Sequence, residues 1–324
     1  MQQALLAWYK KNKRPLIFRE KKEAYSIWIS EIMAQQTRIE AMLGYYSRFI
    51  DQFPDMESLA NADDEKLYKV WQGLGYYSRC RNLKKCAQQC MEQYDGKLPK
   101  TKKELMKLSG IGPYTAGAIA SIAFNEKVSC VDGNVMRVFS RLYDIREDIT
   151  KSKTKKKIEK LVDESLVDEI SEYNQALMEL GALVCIPKNP RCEICPIRNF
   201  CMAEQPNLLP IKPDKRKRKV ENKKIFVWVC KDKIHIHKRE AGLLAGMYEF
   251  DETLPEKYER IVPIGTYTHI FSHVEWKMEA YMVEVKMVEK NFVSVADIER
   301  IYAIPSAFLP FFEKVKEKVK IKVG

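Results

Sequence analysis

The sequence predicts two domains of different class, an all-α region over residues 1–204 and an α+β domain over residues 225–324, joined by a basic linker at 205–224. Three observations predict this. Up to residue 204 apolar residues recur at helical spacing, as in AYSIWISEIMAQQTRI and PYTAGAIASIAF, with polar breaks such as FPDMES and DGKLPKTKKE between them. Residues 205–224 combine three prolines with a basic run, in which positions 212–224 carry eight Lys or Arg against two acids. Beyond the linker the period changes to alternation: KIFVWVCKDKIHIHKR reads as strand, tight turn, strand, and HVEWKMEAYMVEV as a long strand or strand pair. A closing helix is expected near IPSAFLPFFEKVKEKV.

Composition narrows the function classes. A chain of 324 residues, 46% of them apolar, has material for two packed domains. Its 56 Lys and Arg against 44 Asp and Glu leave a net charge of +12, which suits a protein that binds a polyanion better than an enzyme of small neutral metabolites. The linker carries +6, half of that charge, and could touch DNA phosphates or serve as a solvated tether. The opening MQQALLAWYKKNKRPL does not resemble a secretory signal, and no apolar run approaches the roughly 18 residues that span a membrane. A cytoplasmic protein without a membrane partner is expected, nucleoid-associated if bacterial.

Of nine cysteines, four crowd together as Cys185, Cys192, Cys195 and Cys201, spaced C-x6-C-x2-C-x5-C. Four thiolates so close in sequence can converge on one metal centre, an iron–sulfur cluster or a structural zinc. Zinc sites of this kind usually come as two separated C-x2-C knuckles, which favours the cluster. Cys80, Cys86 and Cys90 lie in a helical stretch and read as buried thiols.

In LSGIGPYTAGAIASIAF, Gly110 and Gly112 bracket a tight turn between two helical segments, with Leu108 before it and Pro113 after it. Glycines let a backbone approach a phosphate closely, and the N–H groups opening the next helix point at it. This pattern fits a helix-hairpin-helix DNA clamp.

Nothing before residue 235 is histidine, so the helical region must do acid–base work with carboxylates, cysteine, tyrosine or lysine. Glu31 stands among Ile27, Trp28, Ile32 and Met33, where burial would raise its pKa until it holds a proton near neutrality. Asp132, followed by Gly133 and Asn134, has the look of a helix-capping residue as well as of a second catalytic carboxylate.

The order SEIMAQQT, WQGLGYYSR, LSGIGPYTAGA, VDGNVMRV and C-x6-C-x2-C-x5-C resembles the helix-hairpin-helix glycosylases, specifically the MutY-type adenine DNA glycosylases. The likeness runs through essentially the whole chain, for GLLAGMYEF and HIFSHVEW look like that family's Nudix-like domain, which reads 8-oxoguanine. It implies a monomeric, monofunctional enzyme that excises adenine opposite 8-oxoguanine or guanine in double-stranded DNA, with one 4Fe-4S cluster on the four cysteines.

By the same resemblance, Glu31 would protonate the leaving adenine at N7 and Asp132 would stabilise the oxocarbenium sugar, the division of labour of a glycosidase. Asn134 would orient the pair, and Tyr114 would stand beside the sugar. Arg19 and Gln175 resemble adenine-pocket positions, and Gln36 and Tyr76 the wedges that enter the base stack as adenine flips out. Ser272 and His273 fall where the family contacts the lesion.

Two rivals remain. Endonuclease III-type enzymes share the cluster and the hairpin, but they place a Schiff-base lysine where this chain has Tyr114, typically follow the Asp with threonine and histidine rather than GNV, and lack the C-terminal domain. A non-catalytic iron–sulfur protein that only binds lesions would have no use for both Glu31 and Asp132. One departure touches the pocket: the family usually reads L-P-W-R, and here Leu16, Ile17, Phe18 and Arg19 stand instead, so an indole N–H is lost.

Overall fold

A computed structural model of the chain describes residues 1–20, 22–213, 217–286 and 290–323, with residues 320–323 described by backbone alone. It divides into two compact units, residues 1–61 with 81–214 and residues 62–80 with 215–324. All regular elements described before residue 214 are helical: α1 (Gln2–Asn12), α2 (Ile17–Glu20), α3 (Ala24–Ala34), α4 (Ile39–Gln52), α5 (Met56–Ala60), α6 (Asp64–Trp71), α7 (Tyr77–Gln93), α8 (Lys102–Leu105), α9 (Pro113–Phe124), α10 (Gly133–Leu142), α11 (Ser152–Glu164) and α12 (Ile170–Leu183), with short 3-10 turns after them. The all-α expectation for this region holds.

In the first unit α1, α10, α11 and α12 close one core around Leu5, Val135, Phe139, Ile158, Tyr173, Leu177 and Leu180, all out of contact with water. Each large apolar side chain in such a position contributes about 1.5–3 kcal/mol by leaving water. Helix α9 has no polar face, since every residue from Thr115 to Ile122 is buried. A helix that is apolar all round belongs inside the protein. Pro113 opens it, and Asn125 in the left-handed conformation (φ 54°) closes it. The cysteines of α7 are buried thiols, as their helical setting suggested.

The second unit is α+β, as expected. Its strands are β1 (Lys219–Cys230), β2 (Lys233–His235), β3 (His237–Lys238), β4 (Tyr248–Glu249), β5 (Arg260–Ile270), β6 (Val274–Glu284) and β7 (Phe292–Ser294), and its last helices are α13 (Val295–Arg300) and α14 (Leu309–Val323). A five-stranded mixed sheet runs β5-β6-β1-β2-β7, with β1 parallel to β6, and β3 pairs with β4 apart from it. Phe311 and Val315 of α14 pack on Ile225, Val227, Trp276 and Met278 of the sheet.

Strand β5 was not read from the sequence, and two boundaries also differ from that reading. Strand β1 starts at Lys219, inside the stretch read as linker, because Lys219–Val229 pair residue by residue with Val274–Glu284. The linker residues Asp214, Lys215 and Arg216 lie outside the described residues. Residues 62–80, read with the helical region, gather with the sheet through polar contacts of α6 and the turn after it. Lys69 Nζ donates to the carbonyls of Ile298 (3.1 Å) and Tyr302 (3.0 Å), Gln72 to that of Ile304 (2.9 Å), and Glu65 accepts from Lys238 (2.8 Å) and Tyr248 (2.9 Å). Their partners lie more than 170 residues away, beyond the reach of local periodicity.

Candidate active site and cysteine loop

A cavity of about 1000 Å³ opens in the first unit, and Arg19, Glu31, Gln36, Gly110, Gly112, Tyr114, Asp132, Asn134 and Gln175 all line it. These come from five separate stretches of sequence. Three elements bring the candidate catalytic groups in: α3 carries Glu31, the first turn of α9 carries Tyr114, and the start of α10 carries Asp132 and Asn134.

Helix α3 buries Ile27, Trp28, Ile29, Ile32 and Met33, which fixes its rotation and leaves Glu31 facing the cavity. Burial lifts the Glu31 carboxyl to about 7; the Tyr114 hydroxyl, which donates to its Oε2, and the charge of Arg19 pull it down, while the charge of Asp132 pushes it up. A glutamate with a pKa near 7 can hold a proton and release it at physiological pH.

Asp132 is the N-cap of α10, as its sequence suggested, so capping and a place in the site coincide in one residue. One oxygen accepts from the Val135 N–H at 2.7 Å and the other from Asn134 Nδ2 at 2.7 Å. Burial raises its pKa; these two hydrogen bonds, the Asn134 backbone and the charge of Arg137 work against that. Asp132 therefore has more donors for its anion than Glu31 has. Asn134 is itself fixed, because its Oδ1 accepts from Arg137 Nη2 at 2.8 Å. Helix α12 passes close behind: a Cβ on Gly181 would stand 2.5 Å from Asn134 Cβ, so only glycine fits there.

On another wall Arg19 Nη2 donates to Glu179 Oε2 at 2.8 Å, while Arg14 Nε reaches Oε1 at 2.8 Å. Burial would raise the Glu179 carboxyl, but the two guanidiniums outweigh it and hold it at about 2. Arg19 lines the cavity, and its Nη1 is buried with no partner among the described residues. Gln175 lies beside them, its Oε1 accepting from Tyr9 at 3.2 Å. Sequence reasoning missed Arg14 and Glu179. The signal was present, since Glu179 in NQALMELGAL is a charge inside an apolar helix, the same mark that singled out Glu31.

Gly110 turns the chain between α8 and α9 at φ 76°, and a Cβ there would meet Asn82 Cβ at 2.6 Å. Gly112 then caps α9, exposed, with its helix N-terminus beside the cavity. Gln36 and Tyr76 share an uncommon trait: both are exposed and both hold left-handed backbone, φ 58° and 49°. Such backbone costs about 1–3 kcal/mol in a residue other than glycine and gathers at functional sites. Tyr76 belongs to the second unit, as do Ser272 and His273. These last two form the exposed tip of the β5–β6 hairpin, closed by Phe271 N–H on the Val274 carbonyl at 2.9 Å, with Ser272 Oγ 3.2 Å from His273 Nδ1.

The four cysteines follow α12, and the partly buried Cys185, Cys195 and Cys201 pack on the first core. Burial pushes the Cys195 thiol up to about 11, and the neighbouring Cys185, Cys201 and Cys192 push it the same way, so the four sulfurs share one electrostatic neighbourhood. Thiols crowded like this deprotonate readily only around a cationic centre. Arg141 Nη1 donates to Cys185 Sγ at 3.3 Å, and Arg137 Nε to the Cys185 carbonyl at 2.8 Å, supplying positive charge beside the sulfurs. The donor set fits an iron–sulfur cluster.

Comparison with known proteins agrees. Residues 29–164 match the family model described as "HhH-GPD superfamily base excision DNA repair protein", and residues 185–201 match the "Iron-sulfur binding domain of endonuclease III", the 4Fe-4S motif. Among solved structures, a thermostable thymine-DNA glycosylase is 25% identical with a TM-score of 0.56, over 62% of this chain and 93% of that one. The adenine DNA glycosylase of Rattus norvegicus is 42% identical over 62% of this chain, which spans 41% of that protein's length. That of Buchnera aphidicola subsp. Baizongia pistaciae is 32% identical over 84% of this chain and 82% of its own. Sharing the fold, the cysteine motif and a match of that extent, the chain belongs to the adenine DNA glycosylase family.

Proposed function

We propose that the protein hydrolyses the N-glycosidic bond of adenine opposite 8-oxoguanine or guanine in double-stranded DNA, leaving an abasic site. It would act as a cytoplasmic monomer, associated with the nucleoid if the source is bacterial. One observation carries the reading: Glu31, poised near pH 7, and Asp132, held by two hydrogen bonds, face one cavity large enough for a flipped nucleotide.

Two carboxylates in unlike settings divide the chemistry. Glu31 is the acid: its proton passes to adenine N7 while the electrons of the glycosidic bond leave with the base. Asp132, the anion with more hydrogen-bond donors, stabilises the positive charge that develops on the sugar. A water then adds to the anomeric carbon and its proton returns to Glu31, which closes the balance. Tyr114 holds Glu31 in place, and a tyrosine there cannot form the Schiff base of a strand-cutting lyase. Adenine would lie against Phe18, Arg19 and Gln175, with the unpartnered Arg19 Nη1 as a donor to it. Gln36 and Tyr76 would fill the stack beside the opposite base.

The hairpin at Gly110 and Gly112 would grip the phosphate backbone. Ser272 and His273, on a domain that would be Nudix-like, would read the lesion. Cys185, Cys192, Cys195 and Cys201 would hold the iron–sulfur cluster, which would tie the loop behind α12 together.

Duplexes carrying adenine opposite 8-oxoguanine, adenine opposite guanine, or thymine glycol test the reading, with products resolved before and after alkali. Free adenine from the first two, and strand breaks only after alkali, are expected. Breaks without alkali, or excision of thymine glycol alone, would place the activity with the lyases.

A further inference from the structure

Two of the chain's four histidines, His235 and His237, alternate across the passage from β2 to β3. Opposite them Glu249 and Asp251 alternate in the same way, at the end of β4 and just beyond it. His237 and Glu249 are direct partners in the β3–β4 ladder, and Asp251 exchanges backbone hydrogen bonds with Phe226 of β1 at 2.7 and 3.3 Å. Side chains two apart on a strand share a face. The HIH and EFD stretches therefore bring two imidazoles and two carboxylates to one spot, where the chain leaves the five-stranded sheet for the β3–β4 pair.

His235 Nδ1 is 2.8 Å from Asp251 Oδ2, and His237 Nδ1 is 3.7 Å from Asp251 Oδ1. One ligand atom from each of the three residues lies within 4.8 Å of the others. On the far side of its ring, His237 Nε2 stands 3.4 Å from Glu249 Oε1, and Arg239 holds the other Glu249 oxygen.

We propose that His235, His237 and Asp251 form a binding site for a divalent cation of the zinc class, separate from the cysteine loop. Two imidazoles and a carboxylate suit zinc, whose ligands at about 2.0–2.2 Å stand about 3.3 Å apart around a tetrahedron. That spacing needs only small side-chain adjustments here. Glu249 does what the partner of a metal-bound histidine commonly does: its oxygen accepts the N–H of Nε2, which leaves Nδ1 of His237 with its lone pair towards the cation. Arg239 holds Glu249 in place through its other oxygen.

A plain ion pair between His235 and Asp251 would account for neither the second imidazole nor its carboxylate. Trp228 stacks on the His235 ring at 4.7 Å, which restricts its rotation. The side chains of His235 and Asp251 are 12% and 13% exposed and that of His237 36%, so the site is partly dry yet open to solvent on one side. A water would complete the coordination. The bound cation would cross-link the β2–β3 passage to the segment after β4.

The full chain, carrying its iron–sulfur cluster and freed of loose metal by a chelator, is titrated with zinc chloride by calorimetry, and the zinc-loaded protein is measured by zinc-edge X-ray absorption. One zinc per chain is expected, with only nitrogen and oxygen neighbours at about 2.0–2.2 Å and unchanged iron content. Glu249→Gln should weaken zinc about 10–100-fold, the usual cost of losing the group that orients a ligand. His237→Gln and Asp251→Asn should weaken it at least as much. Absence of binding by the wild-type chain, sulfur among the zinc neighbours, or unchanged affinity in all three variants would each overturn the proposal.

Discussion

Arg137 Nη2 stands 2.8 Å from Asn134 Oδ1, and the same nitrogen donates to the Gly181 carbonyl at 2.7 Å, so one guanidinium fixes both Asn134 and the helix behind it. Through Asn134 it holds Asp132, and through Nε it holds the Cys185 carbonyl. Arg137→Gln takes the guanidinium away from Asn134 Oδ1 and the Gly181 carbonyl, while the Cys185 carbonyl keeps Arg141 Nη1 at 3.3 Å. Each charge-assisted hydrogen bond is worth about 1.5–3 kcal/mol. Adenine release under single turnover should slow by about tenfold or more if one such loss falls on the transition state, and the melting temperature should fall with it. Wild-type rates in a fully folded Arg137→Gln protein would show that Asn134 needs no such support.

Glu31 makes the fold sensitive to alkali. Its carboxyl is held at about 7 in the folded chain against an ordinary 4.5, so the folded state keeps the proton that the unfolded state releases. The stability tied to that proton is complete below pH 4.5 and is lost as pH rises through about 7. At 1.36 kcal/mol per pKa unit the loss reaches about 3 kcal/mol. Glu31→Gln never carries the charge, so it should melt higher than wild type at pH 8 and close to wild type at pH 4.5. Equal melting curves at both pH values would mean that the carboxylate is not destabilised by its surroundings.

Cys195→Ser removes one thiolate of the cluster loop. Iron content and melting temperature should drop together, because metal binding free energy is folding free energy where the ligands lie on an irregular loop. Metal analysis of the wild type should find iron; one zinc bound by these four cysteines in its place would contradict the assignment.

Ser272 and His273 are exposed at the tip of the β5–β6 hairpin, so alanine at both leaves the sheet core intact. If they read the added oxygen and proton of 8-oxoguanine, the double variant should lose about 1–3 kcal/mol of its preference for 8-oxoguanine over guanine, the scale of a lost specific base contact. An unchanged ratio would move lesion reading to Gln36 and Tyr76.

Much of this was legible in the sequence because local patterns carry it. The cysteine spacing, the Gly110–Gly112 turn and a glutamate among apolar residues are each contained in fewer than 20 positions. Long-range pairing was not legible. Arg14 and Glu179 meet across 165 residues, and the parallel alignment of β1 with β6 follows from the sheet as a whole. Strand β5 was missed for a local reason. It is an edge strand with little burial, interrupted by Pro263 and a bulge before Gly265, so its alternation is weak.

The rate of adenine release under single turnover, measured from pH 5 to 9 for wild type and Glu31→Gln on a duplex with adenine opposite 8-oxoguanine, tests the central claim most directly. Wild type should be fast at low pH and slow down above about 7 as Glu31 loses its proton. Glu31→Gln should still bind the duplex but release adenine about 100- to 10,000-fold more slowly, the usual share of general acid catalysis. Equal rates for the two proteins, with no fall on the alkaline side, would contradict the account.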